Sequence, residues 1–144
     1  MPLWASSTRY GGTMNYYDTK RKKDPTFRGN DPPFRVYIPG RILVKDLDRD
    51  GVAQVIVNKN EFASGTIFDK IRVPEKGEIY SLIWDGDGFA TNWKTREIIG
   101  YIADYQIKDV ENDGEEELVV AVVNPSSSIT ERKTTSNILF FKLF

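Results

Sequence analysis

The chain has 144 residues, of which 40% are hydrophobic and 12% aromatic, so it is long enough for one domain with a substantial core. Its 20 basic and 21 acidic residues nearly cancel, which gives no reason to expect nucleic acid or an anionic membrane as a partner. It contains no cysteine and no histidine, and this excludes disulfides, thiolate or imidazole metal sites, and Ser-His-Asp or Cys-His catalysis.

The N-terminal part, residues 1–39, is expected to hold a partial strand near Leu3 and Trp4 and a long polar loop. It lacks the charged segment and apolar run of a signal peptide, and no stretch of the chain approaches the roughly 18 apolar residues of a membrane helix. Residues 18–35 are polar and rich in proline, which predicts a loop or insertion. Their basic run, residues 20–23, can in principle meet a phosphate, but nearby aspartates favour a solvated loop.

A shift of 63 positions (109 minus 46) aligns residues 44–57, VKDLDRDGVAQVIV, with residues 107–120, IKDVENDGEEELVV. Acidic, glycine and apolar positions match in one register, which indicates an internal repeat. We expect residues 40–102 and 103–144 to be its two copies. Each copy has aliphatic residues before the acidic loop and a β-branched run after it, so each loop should join two buried strands.

The rest of the chain also predicts strands and turns. Residues 66–73 and 78–95 read as strand-like segments, residues 74–77 (PEKG) as a turn, and residues 85–88 as a hairpin turn. Residues 136–144 would form the last strand. No segment has the 3.6-residue period of an amphipathic helix, so we expect an all-β fold.

The two acidic loops have the ligand spacing of a calcium loop. Calcium takes six to eight oxygen ligands, which such a loop supplies from positions 1, 3, 5, 7 and 9, with a glycine at position 6 for the sharp turn. In the first loop, these six positions are Asp46, Asp48, Asp50, Val52 (through its carbonyl), Gln54 and Gly51. In the second, they are Asp109, Glu111, Asp113, Glu115 (through its carbonyl), Glu117 and Gly114. Both loops are expected to be able to bind the ion, although Asp and Gly clusters also form simple β-turns.

Position 12 separates these loops from the EF-hand, which needs a bidentate Glu there and a helix on each side. That position is Val57 in the first loop and Val120 in the second, each inside an aliphatic run. A dockerin pair is excluded for the same reason, because its loops also need an acidic twelfth residue.

The segments DLDRDGVAQVIV and DVENDGEEELVV resemble the D-x-D-x-D-G-x-x-D/E loops of FG-GAP/VCBS repeats, the calcium-bearing β-propeller blades of integrin α-subunit heads and many bacterial exported proteins. The resemblance covers roughly residues 40–144. It implies blades of four antiparallel strands, about two of them and thus an incomplete ring, with a structural Ca²⁺ that ties the turn between the inner strands. Gln54 and Glu111 depart from the family pattern at positions 9 and 3, and the 63-residue spacing (109 minus 46) exceeds the usual blade length.

An aromatic-rich stretch, residues 84–105, raises the question of a carbohydrate site. Trp84 and Trp93 within it can stack on sugar rings, but we favour packing between blades. Carboxylates are also present there, and the Asp-Gly pairs of a hairpin turn explain two of them without catalysis. The chain is therefore not expected to be an enzyme.

Three functions remain as alternatives. The first is a non-catalytic, calcium-stabilised propeller segment that acts as an interaction or assembly module of an exported protein. The others are a carbohydrate-binding or polysaccharide-processing domain and a small calcium-responsive regulator. We expect an extracytoplasmic location, and as partner another protein or the remaining blades of a larger propeller, with a homo-oligomer or carbohydrate as further candidates. Nucleic acid and a membrane span are not expected.

Overall fold

The computed structural model describes residues 3–19, 34–63, 73–124 and 134–143. These residues contain ten β-strands and no helix, so the prediction of an all-β fold is confirmed. The strands are β1 (Tyr16–Thr19), β2 (Phe34–Tyr37), β3 (Leu43–Lys45), β4 (Gln54–Phe62), β5 (Pro74–Trp84), β6 (Phe89–Lys94), β7 (Ile98–Ile99), β8 (Tyr101–Lys108), β9 (Glu117–Asn124) and β10 (Thr135–Lys142). Within these ranges, no helix has the length and apolar character needed to cross a membrane.

The described strands form three sheets with antiparallel pairing throughout. β1 pairs with β2 on either side of residues 20–33, the part of the predicted polar loop that lies outside the described residues. The first meander runs β3-β4-β5-β6 in chain order, and β7 adds to it beside β5. The second meander is β8-β9-β10. The two meet at Gly100, near the predicted boundary between residues 102 and 103, and the division into domains stays a prediction.

The strand pairs that flank the two acidic loops have the same register. Lys45 at the end of β3 faces Gln54 at the start of β4. Lys108 at the end of β8 faces Glu117 at the start of β9, at the same offset along the sequence. In both meanders, the acidic loop therefore joins the first two strands, which are neighbours in the sheet.

The core lies between the two meanders. Ile56 and Ile79 of the first meander pack with Ile102, Leu118 and Val120 of the second, and all five are almost fully buried. Four of these five side chains are β-branched, the type that is enriched in strands. Burial of each large aliphatic side chain stabilises the fold by about 1.5–3 kcal/mol.

The turn predicted at residues 74–77 is wrong, because these residues are the first four of β5. Pro74 stands at the start of the strand opposite Phe62, beside a register shift, where a residue without an N–H group is tolerated. Gly77 is explained by close packing instead of turn formation. A Cβ atom at Gly77 would lie 2.7 Å from the Ile102 side chain.

The other local predictions have mixed outcomes. Residues 85–88 connect β5 to β6 as the predicted hairpin turn, and β10 is the predicted last strand. The strand-like segment at residues 66–73 lies, except for its last residue, outside the described residues. Near the N-terminus, residues 3–15 form no strand, and Gly11 makes a single parallel bridge to β4.

Asn60 on β4 joins three parts of the chain through one side chain. Its Nδ2 donates to the carbonyl oxygens of Gly12 at 2.9 Å and Ile102 at 3.0 Å. Its Oδ1 accepts the backbone N–H of Ile102 at 3.0 Å. Because Asn60 is buried, these bonds are shielded from water. The carboxamide thereby holds the start of β8 against the first meander.

Asn60→Ala is expected to lower the free energy of unfolding by about 1–3 kcal/mol, because it leaves backbone groups of Ile102 buried without partners. Urea unfolding followed by tryptophan fluorescence would measure this loss. Ser81→Ala on β5 is the matched control, since the Ser81 hydroxyl is fully buried and has no partner in the described part of the chain. Its removal should leave stability unchanged or raise it, and equal losses in both variants would contradict the joining role of Asn60.

Tyr105 on β8 ties the core to the segment before the first acidic loop. Its ring is buried, and its hydroxyl lies within hydrogen-bond distance of the carbonyl oxygens of Arg41 and Ile56. Burial raises the pKa of the Tyr105 phenol to about 12.

Stability should therefore decrease as the pH rises from about 10 to about 12. In this window, the tyrosine of the unfolded chain loses its proton before the folded Tyr105 does, so the unfolded state is favoured. Urea unfolding at several pH values, for the natural chain and for Tyr105→Phe, isolates this residue because all other tyrosines are common to both. If the two chains lose stability in parallel over this range, the buried phenol is not the cause.

Candidate metal centres

The first acidic loop, between β3 and β4, is folded around its own carboxylates. Asp46 accepts the backbone N–H groups of Asp50 at 3.2 Å and Gly51 at 2.9 Å. Asp50 accepts the N–H of Val52 at 2.7 Å. Arg49 and Gly51 have φ angles of 58° and 91°, in the left-handed region that glycine adopts without steric cost. Together these features reverse the chain and turn the acidic side chains toward one another.

The second loop, between β8 and β9, has the same geometry position by position. Asp109 accepts the N–H groups of Asp113 at 3.2 Å and Gly114 at 2.9 Å, and Asp113 accepts that of Glu115 at 2.9 Å. Asn112 and Gly114 have φ angles of 58° and 89°. The matching sequence motifs thus fold into matching backbones.

Each loop brings three carboxyl groups together. One oxygen from each of three residues lies within 4.8 Å of the others, and the trios are Asp46, Asp48 and Asp50 in the first loop and Glu111, Asp113 and Glu117 in the second. Sites built from oxygen atoms alone suit hard cations such as Ca²⁺ or Mg²⁺ more than zinc or copper. The prediction of acidic clusters that can hold a metal ion is therefore confirmed, while the identity of the ion stays a prediction.

The other predicted ligand positions support the loops in a different way. Asp109 lies outside the second trio, although its two oxygens accept backbone N–H groups in the same way as those of Asp46. Val52 and Glu115 stand at the turn, where their backbone N–H groups donate to Asp50 and Asp113.

Position 9 of the second loop carries a buried oxygen that lacks a partner. Glu117 is only 3% exposed, and its Oε2 accepts the backbone N–H of Val110 at 3.0 Å. Its Oε1 has no hydrogen-bond partner among the described residues. An unpaired buried carboxylate oxygen costs free energy, and a cation at this point would remove that cost. The donor set of the second loop thus fits a calcium ion.

At position 9 of the first loop, the side-chain oxygen and nitrogen both have hydrogen-bond partners within the protein. Gln54 is 2% exposed, and its Oε1 accepts the backbone N–H of Leu47 at 2.7 Å. Its Nε2 donates to Asp48 at 3.1 Å. This hydrogen bond is the main reason why the pKa of the Asp48 carboxyl lies below its usual value. A neutral amide therefore stabilises one of the three carboxylates of this loop.

The two loops lie side by side at one edge of the molecule. Lys45, directly before the first loop, forms an ion pair with Glu116, the last residue of the second loop before β9. A cleft of about 350 Å³ separates the loops, and its lining includes Asp48 and Arg49 on one side and Glu115 on the other. Sequence reasoning missed this ion pair. The lysine that precedes each loop was a signal, but neither motif alone indicates which acidic residue lies across from it.

Trp84 and Trp93 have different surroundings. Trp84 is 42% exposed beside the β5–β6 turn, and its ring meets Phe89 edge-on with centroids 5.2 Å apart. Trp93 is partly buried and packs against the core, and packing between blades stays a prediction. A carbohydrate site that uses both residues stays a prediction.

Comparison of the chain with protein-family models, with curated proteins and with solved structures gives no match. The resemblance to FG-GAP/VCBS repeats therefore stays a prediction.

Proposed function

We propose that the chain is a non-catalytic, calcium-stabilised β-module whose meanders act as propeller-type blades in the assembly of an exported protein. The observation that carries this proposal is that one loop geometry occurs twice, each time between the first two strands of a meander. Calcium in such a loop supplies positive charge where carboxylates would otherwise repel each other, and it links the ends of two paired strands.

The surroundings of two carboxylates in the aromatic-rich stretch support a role without catalysis. Asp104 forms a two-pronged ion pair with Arg41, with nitrogen–oxygen distances of 2.8 and 2.9 Å. Asp85 accepts the backbone N–H groups of Asp87 and Gly88 and so holds the hairpin turn, and these bonds lower the pKa of its carboxyl. Each side chain therefore has a structural task that accounts for its presence.

Exposed apolar residues on the outer strands support a role in assembly. Ile138 and Phe140 on β10 are each 55% exposed, and Val44 on β3 is also exposed. In the described part of the chain, β3 and β10 each pair with one strand only. Open strands with apolar side chains tend to associate with further strands, and propellers protect such edges by packing blades around a ring. We take the partner to be further blades of this architecture.

An extracytoplasmic location is part of the proposal. Calcium sites of extracellular modules have dissociation constants of roughly 10⁻⁴–10⁻³ M, whereas cytosolic sensors bind far more tightly. We assign loops without a bidentate Glu at position 12 to the weaker class. A module with such loops would be filled where calcium is abundant, outside the cytoplasm.

Calcium is expected to raise the melting temperature of the chain. At a calcium concentration a hundredfold above Kd, binding to the folded state alone adds about 2.7 kcal/mol, or roughly 5–10 °C for a chain of this size. Thermal unfolding in calcium and in chelator measures the difference. Asp113→Ala should abolish it, and Asp87→Ala in the hairpin turn should not. Superimposable curves for the natural chain under both conditions would refute the metal role.

Self-association through the open apolar strand is expected as well. Light scattering at several concentrations should give a mass that rises above 16.5 kDa, the mass of one chain. The double variant Ile138→Ser/Phe140→Ser should reduce this rise. Ile99→Ser is the matched control, because Ile99 is also a highly exposed isoleucine but lies on β7. A natural chain that remains monomeric at every concentration would contradict the role of β10 in assembly.

A further inference from the structure

We infer that the two loops differ in their need for metal: the second loop binds one calcium ion, whereas the Gln54 amide closes the first loop without an ion. This inference rests on the proposed function and specifies which site performs it. The expected stoichiometry is therefore one calcium ion per chain, although both loops have the same backbone.

The orientation of the Gln54 amide is fixed by the backbone. The N–H of Leu47 points at the Gln54 side chain with a distance of 2.7 Å, and it needs an acceptor. A reversed amide would place an NH₂ group against that N–H, so two donors would face each other. Oε1 therefore faces Leu47, and Nε2 faces Asp48 at 3.1 Å.

An amide in this orientation opposes a cation in the first loop. An NH₂ group has no lone pair to offer a metal ion, and it already donates to one of the three carboxylates. A calcium ion would have to displace the amide from Asp48, and a reversed Gln54 would leave the part-buried Leu47 N–H without its acceptor. We expect this to weaken calcium binding by about ten- to a hundredfold relative to the second loop.

At position 9 of the second loop, Glu117 provides a carboxylate where the first loop has the Gln54 amide. Its Oε2 holds the N–H of Val110, as Gln54 Oε1 holds that of Leu47. The atom that corresponds to the Gln54 nitrogen is then the Glu117 Oε1, which is buried and without a partner in the described residues. Glu111 and Asp113 bring oxygens within 4.8 Å of Glu117. The second loop thus has an unsatisfied oxygen where the first has a satisfied donor.

The asymmetry divides the molecule into a calcium-independent part and a calcium-dependent part. The β3–β4 reversal keeps its hydrogen bonds without an ion, so the first meander stays ordered at that end. The β8–β9 reversal has the matching backbone hydrogen bonds but leaves Glu117 Oε1 without a partner among the described residues, so calcium should stabilise this reversal, in which Glu116 contacts Lys45. The effect of calcium should therefore concentrate at the second loop and at the side of the cleft that the second loop forms.

Isothermal titration calorimetry of the full chain with calcium alone tests the inference, with a cooperative melt required of every variant. The natural chain should bind one ion, Glu117→Gln none, and Gln54→Glu two. Asp48→Ala should still bind one. Glu111 is an exposed residue of the second loop, and Glu111→Ala should weaken calcium binding at least tenfold. This variant replaces Glu117→Gln in the test if Glu117→Gln does not fold.

The other possible stoichiometries separate failure of this inference from failure of the proposed function. Two ions in the natural chain would overturn the inference and leave the proposed function in place. No ion in the natural chain would overturn the proposed function itself. One ion that is lost in Asp48→Ala but kept in Glu117→Gln would place it in the first loop and refute the assignment. A single ion in Gln54→Glu would show that the amide is not what excludes calcium.

Discussion

The fold depends on how the chain reverses direction at the two acidic loops. In each loop, one aspartate at position 1 accepts two backbone N–H groups, and the residue at position 9 accepts the N–H of position 2. These bonds give backbone N–H groups of each loop an acceptor within the same loop. A loop between two strands needs such acceptors because it has no neighbouring strand to pair with. The carboxylates then converge as a consequence, and their mutual repulsion is the cost that an amide or a cation has to remove.

The all-β fold and the two loops could be predicted because their signals are local. A β-branched run predicts a strand whatever packs on it, and the carboxylates at alternate positions before Gly51 and Gly114 specify a loop through their own backbone. The turn prediction for residues 74–77 is wrong because the signal that decides their structure is not local. Proline and glycine usually mark turns, but Pro74 is tolerated at a strand end and Gly77 is needed where Ile102 approaches from the other sheet. That approach is a tertiary contact, which no local pattern contains.

The contacts that hold the two meanders together also could not be predicted from the sequence. Asn60 reads as an ordinary polar residue in a strand, yet its carboxamide pairs with the backbone of Ile102. Lys45 stands before the first loop and Glu116 stands within the second, where solvated side chains are the usual expectation. They become partners only because the two loops lie side by side. Matching motifs explain why the two loops fold in the same way. They do not determine how the two loops are placed against each other.

Position 9 shows how a small chemical change can separate two sites that share a backbone. Gln54 and Glu117 differ by one terminal atom, and both are anchored by the N–H of position 2. In Gln54 this terminal atom is a nitrogen, which donates a hydrogen bond to Asp48. In Glu117 it is a buried oxygen without a hydrogen-bond partner among the described residues. Sequence comparison of the loops treats the pair as a conservative difference at a ligand position. Because a metal ion needs a lone pair and the NH₂ group of an amide has none to offer, this difference is the reason why we infer an ion in the second loop and none in the first.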